Sequence, residues 1–151
     1  MSIEKKIYLG ADHGGFHVKE YAKKLLKKLG YKVEDVGTYN TDSVDYPDYI
    51  SKVAKNVSKE KNSSGVVACS TGIGASIVAN KVRGIRAALV HNKREARLSR
   101  EHNDSNVLVL GGKPYNQNNV KDIINTWIKT GFQGGRHLRR IKKIDSLEQH
   151  R

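Results

Sequence analysis

The chain is poor in several features, and each shortage excludes a class of protein. Its 151 residues include one cysteine, Cys69, so no internal disulfide can form, which suits a reducing cytoplasm. No apolar run reaches the length of a membrane span. Residues 1–10 also lack the apolar core of a signal peptide. We therefore expect a single cytoplasmic domain with no membrane partner.

Acidic residues are also scarce relative to basic ones. The 28 Lys and Arg outnumber the 15 Asp and Glu, and the formal net charge is +13. Such a charge fits nucleic acid, an acidic surface or phosphorylated small molecules. The densest basic stretch, RHLRRIKK at residues 136–143, contains none of the aromatic residues that nucleic-acid-binding modules interleave with their charges. We expect a solvated surface with a few anion-binding positions and no nucleic-acid partner.

Short apolar runs alternate with helical stripes along the chain. Each run precedes a stripe with helical spacing, and five β-α units predict a parallel sheet between helices. The expected fold is a Rossmann-like, three-layer αβα sandwich with the flavodoxin-like strand order 2-1-3-4-5. We expect one domain over residues 1–151, with a C-terminal tail at 134–151. The predicted strands lie at residues 7–9, which lead into the turn residues Gly10 and Ala11, and at 31–36, 65–69, 85–90 and 107–110.

Chemically active residues cluster where the predicted strands end. Ligands of open α/β sheets bind outside the carboxyl ends of the strands. At these positions the sequence reads ADHGG (11–15), CSTGIG (69–74), HNK (91–93) and GGK (111–113). The first two segments carry most of the reactive side chains, so the site is expected there.

The loop after Cys69 predicts an anion cradle. Gly72 and Gly74 let the backbone turn so that successive N–H groups converge. The loop lacks the lysine of a P-loop and the full dinucleotide-binding spacing. Cys69 is either a small buried hydrophobic residue or a thiolate, stabilised by the loop, that acts as base or nucleophile. Thr71 either binds a substrate oxygen or caps the following helix.

Three further polar residues have two interpretations each. Asp12 either caps the next helix or binds a sugar hydroxyl, and His13 is either a surface residue or an anion ligand. His102, beside Asn103, is either a helix-capping cation or an acid–base group. The six histidines form no metal-ligand set, so we expect neither metal nor other cofactor. A base, a cradle and an acid–base histidine gathered around one site suit proton abstraction beside a carbonyl.

Six segments in order resemble a known family. ADHGG, TDSVDYPDY, CSTGIGASIVANKV, GIRAAL, SREHNDSNVLVLGG and GGRHLRRI are similar to type B ribose-5-phosphate isomerases, whose family also includes galactose-6-phosphate isomerase subunits. The resemblance runs from Ile7 to the C-terminus. It implies an aldose–ketose isomerase of the pentose phosphate pathway that interconverts D-ribose 5-phosphate and D-ribulose 5-phosphate without a metal. Isomerisation of allose or galactose 6-phosphate is the alternative. Binding of nucleic acid or of a nucleotide is the non-catalytic alternative.

The resemblance also implies roles for particular residues. Cys69 takes the position of the base that moves a proton between C1 and C2 through an enediolate. Asp12, His102 and Thr71 match positions that open the furanose ring. The remaining positions bind the enediolate, the phosphate or the sugar: Ser70, Gly72, Ile73, Gly74, Asn103, His13, Lys113, Arg136, Arg140 and Tyr46.

The resemblance further implies an assembly. The tail arginines of the family reach a neighbouring subunit's site, which implies a homodimer with shared active sites, or a tetramer. Two residues depart from the family pattern. Ser70 replaces a glycine, and Lys113 replaces an arginine, which keeps the charge and gives up the bidentate fork.

Overall fold

The protein folds around one parallel sheet, seen in a computed structural model that describes residues 5–148. The expected domain and tail extend to residues 1 and 151, and positions 1–4 and 149–151 lie outside the described residues. The strands are β1 Lys6–Ala11, β2 Lys32–Asp35, β3 Ser63–Cys69, β4 Ala87–Leu89 and β5 Val107–Gly111. The α-helices are α1 Phe16–Lys28, α2 Tyr46–Lys59, α3 Ile73–Ala79, α4 Lys93–Glu101, α5 Gln117–Lys129 and α6 Arg136–Leu147, and His13–Gly15 form a 3-10 helix.

Helices cover both faces of the sheet, which confirms the predicted αβα sandwich. Helices α1, α4 and α5 bury Leu26, Ala96 and Ile123 against one face. Helices α2 and α3 bury Val53 and Ala79 against the other. None of the helices within residues 5–148 combines the length and the apolar character that a membrane span needs.

The predicted strand order is wrong for the last two strands. The order is β2-β1-β3-β5-β4, so β5 and not β4 lies beside β3. The four residues of β5 from Val107 to Leu110 are at most 1% exposed, and such a strand needs a neighbour on each side. The three residues of β4 are only half-buried, which suits the edge of the sheet.

The strand order places a crevice beside β3. The helix after β3 packs on one face of the sheet, whereas the helices after its neighbours β1 and β5 pack on the other. The connections therefore diverge at the carboxyl end of β3, where ligands bind in open α/β sheets. Cys69 is the last residue of β3 and lies in this crevice.

A buried ion pair ties α1 to the end of β2. Lys19, whose side chain is 1% exposed, donates to Asp35 Oδ2 at 2.6 Å and to Glu20 Oε2 at 2.9 Å. Lys23 donates to the same Asp35 oxygen at 2.9 Å, and the amide of Gly37 donates to Oδ1 at 2.9 Å. The carboxylate of Asp35 therefore anchors the chain as it leaves β2 for the crevice.

The hydrogen bonds to Asp35 determine how the stability of the fold depends on pH. Burial alone raises the pKa of Asp35, but the hydrogen bonds from Lys19, Lys23 and the Gly37 amide outweigh burial and hold it below its ordinary value. A carboxyl whose pKa is lower in the folded state stabilises that state above its unfolded pKa of about 4. This contribution is lost as the pH falls through the lowered folded value.

We expect Asp35→Asn to lower the free energy of unfolding by about 3 kcal/mol at pH 7, because it leaves the charge of Lys19 buried with Glu20 as its one remaining acid. Urea unfolding measures the difference, which should shrink as the pH falls below about 4. Glu34→Gln, which removes the exposed partner of Lys6, is the control and should change stability little. Equal stability of wild type and Asp35→Asn at pH 7 would contradict this role.

Candidate active site

The end of β1 supplies two polar side chains to the crevice. Asp12 is 6% exposed and accepts a hydrogen bond from the amide of Gly15 at Oδ1, 3.1 Å away, so it does cap the 3-10 helix as one interpretation predicted. Its other oxygen, Oδ2, remains for a ligand. His13 accepts a hydrogen bond from the amide of Val44 at Nδ1, 3.2 Å away. In the neutral ring the proton therefore lies on Nε2, which can donate to an anion.

The sulfur of Cys69 is held by the loop that follows it. Cys69 is 5% exposed, and the amide of Gly72 donates to its Sγ at 3.2 Å. Gly72 has φ 82°, a left-handed conformation that glycine adopts without strain, and this turn aims its amide at the sulfur. An N–H···S bond strengthens when the sulfur is negatively charged. The turn therefore places a backbone hydrogen-bond donor against the sulfur.

The amides of the loop have different partners. That of Gly72 donates to the sulfur, and that of Ile73 donates to Thr71 Oγ1 at 3.1 Å. Among residues 5–148, the amides of Ser70, Thr71 and Gly74 have no hydrogen-bond acceptor. The predicted cradle thus has three free donors. Thr71 Oγ1 accepts from the first amide of α3, as the capping interpretation predicted, and its hydroxyl proton can still be donated to a ligand.

Close backbone packing fixes the position of this loop. The amides of Gly112 and Lys113 donate to the carbonyls of Cys69 and Ser70, each at 2.9 Å, so the loop continues the pairing of β3 with β5. A Cβ on Gly14 would overlap Ser70 Oγ. A Cβ on Gly74 would lie 2.6 Å from the ring of Tyr46. A glycine at position 74 therefore allows the tyrosine ring to pack against the loop.

An open cleft of about 490 Å³ lies at the carboxyl edge of the sheet. It is lined by Asp12, Tyr46, Cys69, Ser70, Thr71, Ile73, Gly74 and Ile77. A neighbouring cleft of about 510 Å³ shares Thr71 and contains Lys113 and His91. We call the predicted residues at this edge the thiol half-site: Asp12, His13, Tyr46, Cys69, Ser70, Thr71, Gly72, Ile73, Gly74 and Lys113. Residues 5–148 contain no group of three or more His, Cys, Asp or Glu side chains arranged to hold a metal ion.

The other four predicted site residues lie at the opposite edge. Cys69 pairs with Gly111 at the carboxyl end of β5, whereas His102 and Asn103 follow α4, which returns the chain to the amino end of β5. At about 3.3 Å per residue, the length of β5 separates the two edges by about 13 Å. Arg86, just before β4, donates from Nε to the carbonyl of Asn103 at 2.9 Å and holds it at the amino edge. Within one protomer the structure does not bring His102 to Cys69.

A helix from the tail joins His102 at the amino edge. His137, in the first turn of α6, stacks on His102 with ring centroids 4.2 Å apart and planes 12° from parallel. Arg136 and Arg140 are four residues apart and share one face of α6, and both are close enough to act on the charge of His137. We call His102, Asn103, Arg136 and Arg140 the arginine half-site.

His137 was not among the site residues predicted from the sequence. It is 6% exposed, and burial, His102, Arg136 and Arg140 lower its pKa below the ordinary value of histidine. Its position in the sequence was a signal that it could belong to the site, because His137 lies between two predicted phosphate ligands, Arg136 and Arg140. Ile77, which is 56% exposed beside the thiol half-site, was not predicted from the sequence either.

Comparisons with known proteins agree along nearly the whole chain. The sequence profile of the ribose/galactose isomerase family matches residues 7–144. Ribose-5-phosphate isomerase B of Escherichia coli (strain K12) is 41% identical over 147 residues, which cover 97% of this chain and 99% of that protein. The structure of Clostridium thermocellum ribose-5-phosphate isomerase B is similar with a TM-score of 0.94 and 50% identity, over 96% of this chain and 98% of that one. The Mycoplasma genitalium ribose-5-phosphate isomerase B, solved with ribulose 5-phosphate bound, has a TM-score of 0.95 and 36% identity, over 99% and 100% of the two chains.

The contact between Gly14 and Ser70 can be tested through stability. Gly14→Ala should lower the free energy of unfolding by about 1–3 kcal/mol, because the added methyl group overlaps Ser70 Oγ. Ser70→Gly should recover part of this loss in the double variant, although the Ser70 amide would still lie 3.0 Å from the new methyl group. Gly131→Ala, where the added Cβ meets no atom within 4 Å, is the control. Urea unfolding of the four variants tests the contact, and equal losses in Gly14→Ala and the double variant would contradict it.

Proposed function

The chain belongs to the ribose/galactose isomerase family, and from this premise we propose that it interconverts D-ribose 5-phosphate and D-ribulose 5-phosphate with Cys69 as the base. The observation that carries the proposal is the hydrogen bond from the Gly72 amide to Cys69 Sγ, in a cleft with three free amides. The relatives described above carry the names of ribose 5-phosphate enzymes, and one was solved with ribulose 5-phosphate, which favours a pentose phosphate over a hexose 6-phosphate.

The proposed reaction is a proton transfer between neighbouring carbons. In the open-chain aldose, the thiolate of Cys69 removes the proton from C2, and the electron pair moves onto the C1 carbonyl oxygen to give an enediolate. The proton of O2 moves to O1, and the Cys69 thiol returns its proton to C1, which leaves the carbonyl at C2 of the ketose and restores the thiolate. The free amides of Ser70, Thr71 and Gly74 donate to the developing oxyanion, and such preorganised donors are a large term in catalysis.

Ribose 5-phosphate is mainly a closed furanose, so its ring opens before the proton transfer. Asp12 Oδ2 accepts a hydrogen bond from a sugar hydroxyl, while Oδ1 stays with the Gly15 amide. His102 serves as the acid–base group at the ring oxygen. Because His102 lies at the opposite edge of its own sheet, it serves the thiol half-site of a second protomer.

Phosphate binding draws on cations from both half-sites. His13 donates from Nε2, and Lys113 contributes a point charge at the carboxyl edge. Arg136 and Arg140 of the partner protomer supply planar donors that suit a phosphate. This assigns part of the net charge of +13 to substrate binding.

We propose that two protomers form a two-fold dimer in which each thiol half-site meets an arginine half-site. Ile73 and Ile77 are each 56% exposed beside Cys69, a large apolar surface for an isolated chain. The arginine half-site borders a cleft of about 490 Å³ with a largely apolar lining. Its lining includes Ile85, Ala87, Ala88, Asn103, Ile144 and Leu147. Docking of the isoleucines of one protomer into this cleft of the other would bring Asn103 to Cys69, and two-fold symmetry would repeat the contact.

A cytoplasmic location follows from the same chemistry. The base is a thiolate, and oxidation to a sulfenic acid or a disulfide would remove it. We therefore propose that the enzyme works in a reducing compartment.

We expect Cys69→Ala to lower kcat for ribose 5-phosphate by at least about 1,000-fold, because no other base of the thiol half-site is held by the loop. Isothermal titration with ribulose 5-phosphate should show binding within about threefold of wild type, because the phosphate ligands are unchanged. Cys69→Ser, which keeps the size of the side chain but is a far weaker base, should lose activity to a similar degree. Retention of more than about a tenth of the wild-type kcat by either variant would rule out the role.

Arg140→Ala should lower kcat/KM about 10- to 100-fold, since it removes a charged hydrogen bond to the phosphate. Inhibition by inorganic phosphate should weaken in parallel. Arg139→Ala removes the same charge from a residue of α6 that lines a separate cleft with Leu138 and Lys142, and it should leave both quantities unchanged. An equal loss in the two variants would mean that general charge, and not a phosphate contact, is responsible.

A further inference from the structure

His137 and His102 form a pair whose geometry goes beyond what helix packing requires. Their rings are parallel to within 12° at a centroid distance of 4.2 Å, although they belong to different helices. His137 is 6% exposed, whereas His102 is half-buried and is the more accessible of the two. The buried ring therefore forms a flat support on which the accessible ring lies.

Local backbone contacts hold this support in place. The amide of His137 donates to the carbonyl of Gly134 at 3.1 Å and so starts α6. The amide of Gln133 donates to the carbonyl of Glu101 at 3.1 Å, which ties the segment before α6 to the residue that precedes His102. The two rings are thus brought together by the same connection that positions Arg136.

The charges around His137 are mostly positive. From α4 it faces Glu101 and His102, and from α6 it faces Arg136 and Arg140. Two stacked imidazolium rings beside two guanidinium groups would repel each other. Burial and these cations lower the pKa of His137 below the ordinary value of histidine, so the supporting ring is neutral at pH 7.

We propose that His137 is a positioning residue for ring opening: its stacked ring fixes the plane of His102 so that the latter can exchange a proton with the ring oxygen of the sugar. This rests on the proposed function, because it assigns His102 to ring opening. His137 itself does not touch the substrate. Its contribution belongs to the ring-opening step alone, since the proton transfer between C1 and C2 is made by Cys69.

Ribulose 5-phosphate allows the two steps to be measured separately. Its O5 carries the phosphate, so it cannot close to a furanose, and removal of its C1 proton needs no ring opening. In D2O the enzyme exchanges this proton for deuterium through the enediolate, which NMR follows. Isomerisation of ribose 5-phosphate requires ring opening as well as proton transfer.

We expect His137→Ala to lower kcat for ribose 5-phosphate about tenfold while the rate of C1 deuterium exchange stays within about twofold of wild type. His137→Phe keeps a flat ring and should restore isomerisation to within about threefold of wild type. Arg139→Ala, which changes a residue of α6 that lines the separate cleft with Leu138 and Lys142, is the matched control and should change neither rate.

Three results would overturn the proposal. An equal fall of exchange and isomerisation in His137→Ala would mean a structural role, and unchanged isomerisation would mean no role. A His137→Phe variant as slow as His137→Ala would mean that stacking is not the mechanism. Failure of the proposed function has a separate signature, because wild type would then not isomerise ribose 5-phosphate, or Cys69→Ala would keep the exchange.

Discussion

The hydrogen bond from the Gly72 amide to the sulfur of Cys69 is the interaction on which the site depends. It requires the left-handed turn at Gly72, with φ 82°, and it requires the loop to be fixed on both sides. Backbone amides of Gly112 and Lys113 hold the loop on the β5 side. On the β1 side, the absence of a side chain at Gly14 lets the loop approach closely. A thiol at the end of a buried strand thereby becomes a group around which amides converge.

A second constraint comes from the direction of the chain. In a parallel sheet, each helix returns the chain to the amino edge, so residues at the end of α4 lie on the side away from the carboxyl ends of the strands. His102 and Asn103 are at this position, and α6 adds its arginines there. The proposed active site is therefore divided between two edges of one protomer. In the proposed two-fold dimer, each edge of one protomer meets the other edge of its partner, so both sites are completed at once.

Local features of the site could be predicted from the sequence, whereas features that depend on long-range packing could not. The strand end at Cys69 and the turn at Gly72 follow from neighbouring residues, and both were predicted. The order of β4 and β5 depends on which strand has neighbours on both sides, and an apolar run such as residues 107–110 predicts a buried strand without deciding which strands lie beside it. The stack of His137 on His102 depends on how α6 docks on the end of α4, and no spacing within either helix encodes that contact.

Mixing two inactive variants tests the shared site most directly. Cys69→Ala protomers and His102→Asn protomers, unfolded and refolded together in equal amounts, should recover about a quarter of the wild-type activity, because about half of the dimers are mixed and each of these has one intact site. Each variant refolded alone should stay nearly inactive. No recovery in the mixture, with mixed dimers demonstrated by native mass spectrometry, would contradict the account, since it would mean that Cys69 and His102 act within one protomer.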